Sequence, residues 1–168
     1  AGVSTEGDVV LLSDQDASAD SEIEFTGLNS TYGEYIFKFY NLHPSMGSSY
    51  TGLYVEPSTG SYGVTTTSTS FAAYAAESGG TPVVVYRTGD DLAQSDDEQD
   101  LAVPLAEGPS LATPNDGSTS GEFHLFNPSS TTYVKHFYGR TITNTNIGGD
   151  FSWAEFTAGY YNTTSAIT

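Results

Sequence analysis

The run Glu34-Tyr35-Ile36-Phe37-Lys38-Phe39-Tyr40-Asn41-Leu42 decides the fold class. A strand points successive side chains to opposite sides, so Tyr35 to Tyr40 carries apolar and aromatic residues on both faces. That pattern predicts a central strand with a sheet running through it. Just upstream, Glu22-Ile23-Glu24-Phe25 alternates cleanly, with Ile23 and Phe25 turned inward, as a half-buried strand does.

Outward from this core the same punctuation repeats. Short aromatic or β-branched runs are separated by Gly, Ser, Thr, Asn and Pro clusters. Candidate strands are Asp8 to Leu12, Glu22 to Thr26, Glu34 to Leu42, Tyr50 to Glu56, Pro82 to Arg87, Glu122 to Phe126, Thr132 to Arg140 and Asp150 to Tyr161. The stretch Phe71-Ala72-Ala73-Tyr74-Ala75-Ala76-Glu77 after Ser70 reads equally as a two-turn helix and as a strand, because two turns need tertiary packing to persist. The expected architecture is all-β, an antiparallel β-sandwich of jelly-roll-like type with little helix. Residues 1–168 form one domain, long enough to bury a core without covalent staples.

Charge narrows the partners. Twenty-one acids against Lys38, Lys135, Arg87 and Arg140 give a net charge of −17. Such a chain repels phosphate backbones and anionic lipid, so neither nucleic acid nor membrane insertion is expected. The longest apolar run, Phe71 to Ala76, is far short of the ~20 residues of a membrane helix. With no cysteine, thiolate chemistry and disulfides are excluded. An acidic cytoplasmic enzyme from a salty environment would carry Ala-, Glu- and Leu-rich helices, which this chain lacks.

No motif assembles a catalytic, cofactor or metal site. Residues 90–100 hold six acids in eleven positions but lack the Asp-x-Asp-x-Asp-Gly spacing and distal Glu that wrap calcium, and they read as a solvated loop. His43, His124 and His136 match no ligand spacing, and no Gly-x-Ser-x-Gly elbow supports a Ser-His-Asp triad. Tyr50, Tyr54, Tyr62, Tyr160 and Trp153 are candidate stacking platforms for sugars or protein contacts, although most rings are expected to fill the core. Asn29-Ser30-Thr31 and Asn162-Thr163-Thr164 fit the glycosylation pattern, which matters only in a eukaryotic secretory route.

Several phrases carry a family likeness. They are Ile23-Glu24-Phe25-Thr26-Gly27 with Ser30-Thr31-Tyr32-x-Glu34-Tyr35, Asn41-Leu42-His43-Pro44, Tyr86-Arg87-Thr88-Gly89-Asp90-Asp91-Leu92, Leu125-Phe126-Asn127-Pro128-Ser129-Ser130-Thr131-Thr132, and Ala158-Gly159-Tyr160-Tyr161-Asn162-Thr163-Thr164. In their order the chain resembles small virion structural proteins of tailed phages from marine bacteria, including those of marine cyanobacteria. The resemblance implies a β-rich fibre knob or decoration protein on the particle surface, without catalytic residues or cofactors. It further implies homo-oligomers, contacts with other virion proteins, and a contribution to host attachment through surface glycans. Sequences of this kind continue past the segment like Ser165-Ala166-Ile167-Thr168, so the C-terminal strands are expected either to be missing or to come from a neighbouring subunit. An extracellular carbohydrate-binding module or bacterial surface protein would share the composition and is the alternative.

Overall fold

The computed structural model describes residues 9–18, 20–43, 54–59, 62–101, 117–145 and 151–168. It is an all-β antiparallel sandwich, with no helix among the described residues. The strands are β1 (Glu34–Leu42), β2 (Tyr54–Val55), β3 (Thr66–Ala76), β4 (Val83–Tyr86), β5 (Ala93–Ser95), β6 (Gln99–Asp100), β7 (Thr119–Phe126), β8 (Lys135–Thr145) and β9 (Phe151–Tyr161). One layer is a seven-stranded sheet in the order β1-β7-β8-β9-β3-β4, with β5 also paired to β3. The thinner layer contains the β2–β6 ribbon, flanked by residues 23–28 and the tail 162–168.

Antiparallel register carries each residue row across the sheet. Phe37 pairs with Phe123, Phe123 with Gly139 and Gly139 with Thr157, which puts the odd-numbered residues of β1, β7, β8 and β9 on the inner face. There Phe123, Leu125, Phe137 and Tyr161 pack with Leu101 and Ile167 from the cover to form the core. Ring contacts run continuously from Phe37 through Phe123 and Phe137 to Tyr161. Lys135, also inward and fully buried, donates from Nζ to the carbonyls of Thr163 (3.1 Å) and Ser165 (2.6 Å), tying the tail to β8. Burial holds its ammonium below the ordinary lysine value.

Two glycines make room for this packing. A Cβ on Gly121 would meet the carbonyl oxygen of Arg140 and the Phe39 ring, and one on Gly159 would meet the carbonyl oxygen of Thr67 and the tip of Phe137. Rings lie across both backbones because nothing projects from them.

Several expectations are corrected. Glu34–Leu42 is a strand with the expected bounds, but among the described residues it stands at the edge and not the centre of the sheet, since β1 pairs there with β7 alone. Its two-sided apolar pattern arises because the outer face is itself apolar. Residues 22–26 are not a strand; Ile23 and Phe25 line the cover without ladder hydrogen bonds. Residues 9–12 are likewise irregular and exposed, and Asp8 and residues 50–53 fall outside the described residues. The ambiguous stretch after Ser70 is the second half of β3, whose paired neighbours β4 and β9 supply the backbone partners that an isolated helix turn would have lacked. The first half of β3, with β5 and β6, is too rich in Ser, Thr, Gln and Asp to show in a hydrophobic pattern.

Replacing Gly159 with Ala is expected to lower unfolding free energy by about 1–3 kcal/mol while the β circular dichroism signal is kept, because the added methyl overpacks backbone and ring together. Urea unfolding measures it, and an unchanged midpoint would refute the packing described.

Candidate functional site: the outer sheet face

Even-numbered residues of β1, β7, β8 and β9, with the odd-numbered ones of β3, point away from the cover. One row crosses six strands as Lys38, Glu122, Arg140, Phe156, Phe71 and Tyr86. Lys38 faces Glu122 at 3.7 Å, Arg140 lies 5.3 Å over the Phe156 ring, and Phe156 stacks on Phe71 at 5.4 Å and 6°. At the row's end the Tyr86 hydroxyl donates to Asp91 Oδ2 at 2.8 Å. The row thus passes from charges to rings, each step held by its cross-strand neighbour.

The adjacent row holds Ile36, His124, Tyr138, Ala158 and Thr69. His124 stacks on Tyr138 at 4.3 Å and 14°, its Nδ1 lies 2.6 Å from Glu34 Oε1, and its Nε2 faces Glu122 at 3.6 Å, too long for a hydrogen bond. Desolvation, then the fields of Glu34 and Glu122, raise the Tyr138 phenol above its ordinary value. A third row, Ser120, Ile142, Ala154, Ala73 and Val84, is mostly aliphatic.

On β3 and β9 the two faces mix polar and apolar residues, with Tyr74, Trp153 and Tyr161 also turned inward. Their inward positions include Thr66, Ser70, Glu155 and Thr157, all buried, whereas Phe71, Ala73, Phe156 and Ala158 face outward. Tyr40 is 72% exposed, Ile142 52% and Phe71 47%. Exposed apolar side chains thus recur on the outer face from β1 to β4, interspersed on β1, β7 and β8 with Glu34, Lys38, Glu122 and Arg140.

Beneath this face lies a buried polar cluster. Ser70 donates to Glu155 Oε1 at 2.8 Å and Arg87 Nε donates to Asp90 Oδ2 at 2.7 Å, while Gln99 Nε2 donates to the carbonyls of Asp90 and Asp100. Oxygens of Asp100, Glu155 and Gln99 are left without partners. Burial pushes the Glu155 carboxyl up to about 7, opposed by the Ser70 hydrogen bond and Arg87 and reinforced by the nearby Asp90. Asp100 also rises to about 7, first through burial and then through Asp90. The Asp100 and Glu155 carboxyls beside one guanidinium thus favour holding protons.

The structure redistributes the sequence candidates. His124 and His136 share the outer face on neighbouring strands, whereas His43 follows the far end of β1, so the three histidines do not converge. His136 is exposed beside Tyr160. The acidic stretch 90–100 is not a uniformly solvated loop: Asp90 is buried, Asp100 half-buried, and only Asp96, Asp97 and Glu98 among its acids are exposed. The Arg87 partner draws Asp90 inside. Among the described residues no group of three His, Asp or Glu side chains is placed to hold a metal. Trp153 is no open platform, since Tyr74 stacks on it at 4.1 Å and Arg87 lies 5.7 Å over it. Tyr50 and the Tyr54 side chain lie outside the described residues. Tyr62 is exposed at the cover, and Tyr160 is partly buried on the outer face. Sequence reading missed Glu155; its signal was a lone acid inside the aromatic run 151–161.

In comparisons with known proteins, no family model, no curated protein and no solved structure matches the chain.

The raised carboxyls set a pH dependence. Their folded values exceed the ordinary 3.8 and 4.5, so the stability they contribute is fully present below about pH 4 and is lost as pH rises through about 7. Glu155→Gln is expected to flatten that decline and to stabilise the protein by about 1–3 kcal/mol at pH 8, while changing little at pH 4. Thermal unfolding across pH 4–8 checks this, and parallel curves for the two proteins would contradict it.

Proposed function

We propose that this chain is a non-enzymatic structural subunit exposed on the surface of a tailed-phage particle, as a fibre, knob or capsid decoration. In this reading it assembles with copies of itself through the outer sheet face, touches other virion proteins, and contributes to host attachment. The observation that carries it is the outer sheet face, where Phe71, Val84, Tyr86, Ile142 and Phe156 stay exposed while Thr66, Ser70, Glu155 and Thr157 are buried behind them. Burying an exposed Phe, Ile or Val is worth about 1.5–3 kcal/mol, so a surface of this kind gains by acquiring a partner.

A second copy suits the face electrostatically. On its β1, β7 and β8 strands, Glu122 stands between Lys38 and Arg140, so half of the chain's four basic side chains lie on this face beside its acids. A two-fold axis would set the cations of one copy against the acids of the other. Elsewhere the negative surface suits an outward position, away from packaged DNA. The order of phage-like phrases along the chain supports the same placement.

The rival reading, an extracellular carbohydrate-binding module or bacterial surface protein, is favoured by the exposed rings of Tyr40, Tyr86 and Tyr133, which present π-faces or edges to a glycan.

Two measurements separate these. Sedimentation of the wild type is expected to show a symmetric oligomer, and Ile142→Asp, at an exposed outer position, should weaken it at least tenfold, about 1.4 kcal/mol. A wild type that stays monomeric at every concentration removes the self-association. Quantitative mass spectrometry of purified particles should find the chain in multiple copies. Its absence from virions, with a secreted monomer that binds one polysaccharide on a glycan array, transfers the assignment to the sugar-binding reading.

A further inference from the structure

Between the inner sheet face and its cover lies a cavity of about 240 Å³. Its floor is Phe37, Phe39, Phe123, Leu125 and Tyr161; Ile23, Phe25 and Leu28 close one side, and Leu101 and Ile167 another. An apolar cavity of ~150 Å³ already holds a benzene ring, so this one admits a ring with a short side arm. A tightly packed interior leaves few voids larger than a water molecule, and this space is not a packing remnant of that size.

The cavity also contains polar chemistry. Tyr161 is 1% exposed, and its hydroxyl has no hydrogen-bond partner. Leaving a buried hydroxyl unpaired costs about 1–3 kcal/mol, which a ligand group would recover. Burial and then the field of Glu56, which also lines the cavity, raise the phenol far above its ordinary value, so at neutral pH it is an uncharged O–H. Glu56 Oε1 accepts the Gly63 N–H at 2.8 Å, which fixes the carboxylate. Glu24 lines the same side. Desolvation, then Glu24, Glu22 and Glu56, raise the Tyr62 phenol as well, so these acids gather around one ring at the opening. No Lys or Arg stands among the described lining residues.

We propose that this cavity binds a small organic cation, an ammonium group on an apolar body of about phenylethyl size. The ring of the ligand lies against the partly exposed Ile23, Phe25 and Phe39. Its ammonium points to the opening, donates to Glu56 and to the Tyr161 oxygen, and meets the face of Tyr62. A neutral aromatic would leave the carboxylates unanswered, and a carboxylate ligand would be repelled by them. This site is independent of the outer face and of the proposed assembly.

Isothermal titration of the whole chain with 2-phenylethylamine, 2-phenylethanol and 3-phenylpropanoate tests the proposal. The amine should saturate one site at least tenfold more tightly than the alcohol, with the acid weakest. Tyr161→Phe should weaken the amine several-fold while leaving the melting temperature of the free protein unchanged or higher, because the unpaired hydroxyl is gone. Glu56→Gln, which keeps an oxygen for Gly63, should remove the preference for amine over alcohol, and it reads the same question if Tyr161→Phe fails to fold. Equal affinity for amine and alcohol, no saturable binding by any of the three, or an amine affinity untouched in both variants would each overturn it.

Discussion

Strand β9 is paired along its eleven residues to β8 on one side and β3 on the other, and this double pairing fixes what every other element can do. A strand hydrogen-bonded on both edges cannot rotate its side chains to a more favourable side, because a one-residue slip exchanges its two faces. Glu155, Thr157 and Tyr161 are therefore committed inward, and Phe156, Ala158 and Tyr160 outward. The cover must then supply polar groups over the first set and apolar ones toward Tyr161. It does so with Asp90, Gln99 and Asp100 at one end and Leu101 and Ile167 at the other.

That division explains the internal electrostatics. A chain with four basic residues has few cations to place beside buried acids, and only Arg87 is found with the cluster at Glu155. Protons substitute for cations there, and the carboxyls rise to about 7. Lys135 shows the converse: buried beside main-chain carbonyls, it holds the tail by hydrogen bonds and its ammonium is weakened by desolvation. Phe71 and Phe156 stand on the outer face, where they stack on each other and Phe156 on Arg140.

Much of the strand content could be read in the chain. Glu34–Leu42, the valines of β4 and the aromatic run of β9 carry β-branched and aromatic residues at strand spacing, and local pattern suffices for them. Thr66–Ser70 and the short strands β5 and β6 were invisible, because hydroxyl- and amide-rich strands are made by their partners and not by their own hydrophobicity. The segment 22–26 failed in the opposite sense. Its alternation is real, and Ile23 and Phe25 do face the cavity, but no neighbouring backbone completes a ladder.

The sequence by itself determined the all-β class, the absence of thiol chemistry and the acidic surface, since these follow from residue type and from a period of two along the chain. Only the tertiary structure decided that β1 stands at an edge among the described strands, that Asp90 and Glu155 share an interior with one arginine, and that the buried Tyr161 hydroxyl ends unpartnered. Alternation assigns residues to two faces without saying which face the chain will cover. That choice rests on contacts between segments far apart in sequence, such as Leu101 on β8 and Ile167 beneath Pro128, which no local pattern records.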